Sequence, residues 1–134
     1  MKSLFAYGSL QFPEVIYAVI GRSPNGVPAR LPGYRRGRLR GRSFPGVTAE
    51  ANAVCPGVLY RSLTRQEWVL LDAFEDDFYQ RLSLPVFAGD DREEFAEVYV
   101  VEDSFKGLLL TGDWDPEGFR QHDLKRFLQM LVNG

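Results

Sequence analysis

Hydrophobic positions along the chain recur with two periods, near two and near 3.6, and the switches between them predict where strands and helices lie. Leu4, Phe5, Ala6 and Tyr7 form an opening strand-like run that stops at Gly8. Val15, Ile16, Val19 and Ile20 then fall at helical spacing, with Pro13 suited to a first helical turn and Gly21 to a stop. From Arg36 to Arg42 the alternation is strict. Arg36, Arg38, Arg40 and Arg42 occupy one side of a strand and Gly37, Leu39 and Gly41 the other, which predicts a basic side facing solvent. Phe44-Pro45-Gly46 reads as a turn, and Gly57, Val58, Leu59 and Tyr60 as a further strand.

Thr64 followed by Glu67 is a capping-box pair, placed before a helix with Trp68, Leu71 and Phe74 on its apolar side. Tyr79 to Phe87 and Phe95 to Val101 are long enough for two strands, joined as a hairpin across Gly89-Asp90-Asp91. Asp115 and Pro116 open a last helix, whose stripe of Leu124, Phe127, Leu128 and Leu131 is expected to pack on the sheet. Strands at hairpin spacing with few helices predict one α+β domain over residues 1–134 with a mainly antiparallel sheet. Periodicity alone leaves open whether that sheet closes into a barrel.

Composition narrows the function classes. A chain of 134 residues with 45% hydrophobic and 25% charged residues has enough apolar mass to bury a core without disulfides or metals. Cys55 is the only cysteine and His122 the only histidine, so neither an internal disulfide nor a metal site built mainly from Cys and His is available. A reducing, cytoplasmic setting is the natural expectation, since the apolar part of MKSLFAYGSL is too short for a signal peptide and no run reaches membrane-spanning length. The formal net charge of −2 and pI near 5.4 do not favour nucleic acid. Nothing in the chain demands more than a monomer or a weak homodimer.

Four groups of residues are candidates for chemistry. The turn Tyr7-Gly8-Ser9-Leu10 lies where a strand meets a helix, a place where successive backbone N–H groups form a concave anion site; a plain turn enabled by Gly8 is the other reading. Glu75 follows Trp68 by seven residues and Leu71 by four, so a helix reaching it sets a carboxyl group on the buried face, where desolvation raises its pKa toward that of a general acid or base working near neutrality. Asp72, Asp76 and Asp77 would push in the same direction if close. If the helix ends at Phe74, Glu75 is a solvated loop residue. Tyr79 and Arg81 share one face of the next strand and offer a phenol and a guanidinium to a carboxylate, or else simply decorate its surface. The arginine-rich strand has too few aromatics to read as a nucleic-acid platform and fits a solvated or protected edge. No nucleophile triad, nucleotide loop or metal set is present, which leaves chemistry without a cofactor.

These segments, taken together, resemble a known group. Phe5-Ala6-Tyr7-Gly8-Ser9-Leu10, Leu31-Pro32-Gly33-Tyr34, Gly57-Val58-Leu59-Tyr60, Leu71-Asp72-Ala73-Phe74-Glu75 with Tyr79-Gln80-Arg81, and Gly112-Asp113-Trp114 are similar to the γ-glutamylcyclotransferase-like superfamily, and within it to the γ-glutamylamine cyclotransferase and avirulence-induced-gene-like branch. The resemblance implies a small mixed, mainly antiparallel β-barrel with flanking helices. It further implies a cofactor-independent enzyme that cyclises a small-molecule γ-glutamyl substrate to 5-oxoproline, with Glu75 as the catalytic carboxylate. Tyr7, Gly8, Ser9 and Leu10 would hold the glutamyl head, and Tyr79, Arg81 and Trp114 would complete the pocket. Asp76 departs from the pattern, since many relatives follow the glutamate with glycine.

Overall fold

The structure, a computed structural model, describes residues 2–89 and 91–133. Five strands close into a barrel in the order β1-β3-β2-β4-β5: β1 Lys2–Ala6, β2 Gly26–Arg38, β3 Pro45–Leu63, β4 Tyr79–Ala88 and β5 Glu93–Val101. Neighbouring strands run antiparallel except at the seam, where β1 and β5 meet in parallel at Leu4 and Glu97. Four helices flank the barrel: α1 Pro13–Ile20, α2 Arg65–Glu75, α3 Pro116–His122 and α4 Leu124–Asn133. No helix among the described residues is long and apolar enough to cross a membrane.

Period-two alternation assigns the two cores. Phe5 on β1 and Tyr7 just after it point into the barrel with Leu31, Val47, Leu59, Val86 and Val98, whereas Leu4 and Ala6 point outward and meet Ile16, Trp68, Leu71 and Phe119 under the helices. Cys55 lies inside the barrel, where burial pushes its thiol up to about 12 and leaves it an inert filler.

Three expectations need correction. β2 begins ten residues before Arg36 and β3 runs for 19 residues through Pro45 and Gly46, so the turn between them covers residues 39–44 instead of Phe44-Pro45-Gly46. Pro28 and Pro32 hide the early part of β2 from a pattern reading, because they lack ladder donors. The register also shifts between Pro32 and Tyr34, with Gly33 at φ +81° and Asn52 at φ +70° taking up the bulge. The last helix is two: Asp115 and Pro116 start α3 as expected, but the chain breaks at Asp123, and α4 packs mainly on α1 and α3, its apolar stripe joining the core cluster that also holds Leu4, Ala6 and Tyr99 of the sheet. The basic side of the arginine strand is not uniformly solvated. The chain from 108 to 112 hydrogen-bonds along Arg38 and Arg40, and Arg36 is buried beneath the segment that follows. The β4–β5 hairpin forms as expected, although Asp90 of its turn lies outside the described residues.

Candidate active site

A cavity of about 540 Å³ opens at the end of β1 and is lined by Tyr7, Gly8, Ser9, Leu10, Glu75 and Tyr79 among others. The structure thus brings six of the eight expected site residues to one place.

The turn after β1 is held from two sides. The Tyr7 carbonyl accepts from Gln11 Nε2 at 2.9 Å and from Arg36 Nη1 at 3.0 Å. Ser9–Gln11 then forms a single 3₁₀ turn, whose first N–H groups have no intrahelical acceptor, and the N–H groups of Gly8, Ser9 and Leu10 find no backbone acceptor among the described residues. The Ser9 side chain is buried beside it. Glycine is required at position 8 by close approach rather than by a positive φ. Its φ is −123° with ψ −134°, and a Cβ there would sit 2.9 Å from the Pro45 ring.

Glu75 is placed by its helix. Thr64 Oγ1 accepts from the Glu67 N–H at 3.1 Å, and Glu67 accepts in return from the Thr64 N–H, fixing the start of α2 and the phase of its buried face through Trp68 and Leu71 to Glu75, its last residue. The three phenols around Glu75 are committed elsewhere. Tyr7 donates to the Tyr99 carbonyl, Tyr79 to the Pro45 carbonyl at 2.7 Å, and Tyr99 to Asp72 at 2.7 Å. Glu75 receives no hydrogen bond and pairs with no cation among the described residues, so its charged form has lost water and gained nothing. Burial alone therefore raises its pKa to about 8, without help from the neighbouring aspartates. Burial, and then the nearby negative charge, drive Tyr7 and Tyr79 further up, away from neutrality.

Asp76, immediately after Glu75, closes α2 at φ +58° and ψ −158°, a region that a side chain occupies only under strain. This is why glycine suits the position. Asp76→Gly is expected to raise the unfolding free energy by about 1 kcal/mol, the released strain minus the entropy of a freer unfolded chain, read as a higher midpoint in urea.

Arg81 and Trp114 do not line the cavity. Arg81 lies two residues beyond Tyr79, which is one full strand repeat farther along. Its guanidinium stacks 4.5 Å from the Trp68 ring centroid and lies 3.6 Å from Asp72 and 3.5 Å from Glu97. Trp114 is buried behind the turn. Its indole donates to the Ser43 carbonyl at 2.7 Å, and the Arg36 guanidinium rests 5.5 Å from its ring. Tyr99 was not singled out by the pattern, and Arg36 and Arg42 entered it only as members of a basic strand face read as solvated. Tyr99 had a findable signal, because β4–β5 pairing sets it opposite Arg81. Among the described residues no group of three or more His, Cys, Asp or Glu is placed to hold a metal ion.

A small closed barrel with a half-buried carboxyl, unpaired among the described residues, beside a turn whose N–H groups find no backbone acceptor there matches known proteins over most of its length. The profile described as Gamma-glutamyl cyclotransferase, AIG2-like, covers residues 4–116, and the chain belongs to that family. Its relatives include the Arabidopsis thaliana AIG2-like protein C, 39% identical over 126 residues that span 93% of this chain and 73% of the relative. AIG2-like protein D from the same plant is 31% identical and is covered over 86% of its length by 97% of this chain. The solution structure of another Arabidopsis thaliana protein superposes with a TM-score of 0.76 at 28% identity, covering 96% of this chain and 87% of that one. A γ-glutamyl cyclotransferase of known structure shares the fold, with a TM-score of 0.66 at 16% identity over 98% of this chain and 86% of its own.

Proposed function

We propose that this protein is a γ-glutamylcyclotransferase that converts the γ-glutamyl group of an amide into 5-oxoproline and releases the amine, with Glu75 as the single general acid and base. The observation that carries the reading is the Glu75 carboxyl, unpaired and raised to about 8 in a cavity whose other wall is a turn with free N–H groups.

In this reading the N–H groups of Gly8, Ser9 and Leu10 hold the substrate's α-carboxylate. The ionised Glu75 takes a proton from the α-ammonium, and the freed amine attacks the γ-carbonyl of the same molecule to close a five-membered ring. The tetrahedral intermediate then collapses as Glu75 returns that proton to the departing nitrogen, so that the C–N bond to the leaving amine breaks; the second proton of the new ring nitrogen then passes through the same carboxylate to the released amine, which departs as its ammonium, and the protein ends in its starting state. Both reacting groups belong to one substrate, and the cavity's contribution is to hold the bent conformer that brings them together.

The test is 5-oxoproline release, followed by mass spectrometry, from γ-glutamyl amines and dipeptides across a pH series. A base must be ionised in the free enzyme. With a pKa of about 8, kcat/KM is expected to rise about tenfold per pH unit below that value and to level above it. A flat profile from pH 5 to 9 would overturn the assignment of Glu75 as the base, and folded protein that yields no product from the panel would leave a pocket that only binds.

A further inference from the structure

The cavity is lined by two unlike sets of residues. One is Ser9 with the backbone of the turn; the other is apolar, Phe44, Phe74, Phe78, Phe105, Phe127 and Leu131. Each of these six is only half-buried, although rings of this size normally complete a core. Phe78 is flanked by Phe105 at 4.6 Å between centroids and by the Arg42 guanidinium at 4.9 Å, while Phe74 and Phe127 meet edge to face at 6.2 Å.

A γ-glutamyl head is polar throughout, bearing ammonium, carboxylate and amide, and belongs at the turn. A volume of 540 Å³ falls in the range of roughly 300–1,000 Å³ that holds a drug-sized ligand, more than that head requires. A small leaving group would leave the aromatic lining wet. Arg42 adds a second requirement. It lines the cavity, and unlike Arg36, Arg81 and Arg120 it pairs with no carboxylate among the described residues, being held by the Phe78 face and a 3.4 Å contact to the Arg40 carbonyl. Asp76 and Asp77 stand exposed in the same lining and disfavour any negative charge beyond the one that Arg42 meets.

We infer that the leaving-group half of the site takes a bulky aromatic amine, its ring against the Phe44–Phe105–Phe127 wall, with Arg42 placed to meet a carboxylate if the amine is an amino acid. The inference rests on the cyclotransferase reading for the orientation of the substrate.

Four substrates separate the contributions: the γ-glutamyl derivatives of phenylalanine, phenethylamine, glycine and methylamine, which vary ring and carboxylate independently. Each ring-bearing compound is expected to exceed its ring-free partner in kcat/KM by about 10- to 100-fold, the effect of covering a phenyl group. Arg42→Gln identifies the source of the amine. A loss confined to the phenylalanine and glycine derivatives indicates an aromatic amino acid, and no loss indicates an aromatic monoamine. An equal loss for all four would remove Arg42 from this subsite and assign it to the glutamyl carboxylate. Calorimetric binding of the same compounds to Glu75→Gln protein keeps the subsite apart from the chemistry. Ring preference in binding without 5-oxoproline from wild type would sink the cyclisation and keep the subsite. Equal rates and equal affinities with and without the ring, or no binding at all, would overturn it.

Discussion

Glu75→Gln is expected to lose turnover by about 10² to 10⁴ while melting at a higher temperature than wild type above neutral pH. The two effects share one cause. In the folded chain the carboxyl ionises only near pH 8, whereas in the unfolded chain it ionises near pH 4.3. Between those values the unfolded state gives up a proton that the folded state keeps, so stability falls as pH rises through this window and the loss is complete just above pH 8. Glutamine fills the same space and ionises in neither state. Its advantage should be small near pH 4 and on the order of 3 kcal/mol at pH 8 to 9, once allowance is made for incomplete burial. Melting curves at three pH values, read beside the 5-oxoproline assay, check both halves. A glutamine variant that is inactive and no more stable at high pH would mean that Glu75 is better solvated than its surroundings indicate.

Arg36→Leu should be the most damaging single change outside the cavity. Its guanidinium is buried, donates to the Tyr7 carbonyl, grips Asp113 at 2.9 and 3.2 Å, and covers the Trp114 ring. Burial pushes Asp113 up, but the Arg36 fork outweighs it and holds that carboxylate below its ordinary value. Leucine would leave Asp113 with the Trp114 N–H and the Tyr7 carbonyl with Gln11 alone, at a cost of about 2–3 kcal/mol; the exposure of Asp113 keeps the figure below that of a wholly buried pair. Because the same bond fixes the turn, KM should rise about tenfold or more, and Arg36→Lys should recover part of the stability but little of the binding, since an ammonium cannot make the fork. Unfolding midpoints and KM for both variants test this. Unchanged KM in a destabilised Arg36→Leu protein would show that the turn holds its shape without the arginine.

Local rules carried a reading of the sequence a long way where the cause was itself local. The Thr64–Glu67 box and the spacing from Trp68 to Glu75 are contained in one helix, and both were legible. Arg36 was misread because alternation reports which residues share a side of a strand, not what covers that side. The segment from 108 to 114, some seventy residues away in sequence, covers it. Arg81 failed differently. Its face was right, but one strand repeat carried it past the cavity to Trp68. Gly8 was expected to serve the turn by its conformational freedom, and the structure adds a demand from Pro45, the first residue of a strand that the pattern had read as a turn.

The parallel seam between β1 and β5 carries a consequence for how the site comes into being. Tyr7 donates to the carbonyl of Tyr99 across 92 positions of chain, and Leu4 meets Glu97 beside it. Contacts so distant in sequence carry a large loop-closure entropy and form late in folding. The helix bearing Glu75 and the β4–β5 hairpin are local and can assemble early, but the turn after β1 follows the strand whose contact with β5 closes the barrel last. Refolding should therefore show helix signal ahead of activity, with tyrosine burial and activity returning at one shared rate. A nascent chain that has not yet released β5 from the ribosome already carries both the turn and the carboxyl but lacks the Tyr7–Tyr99 bond that closes the barrel around them, and activity in the proposed reaction is expected only when the ring is shut.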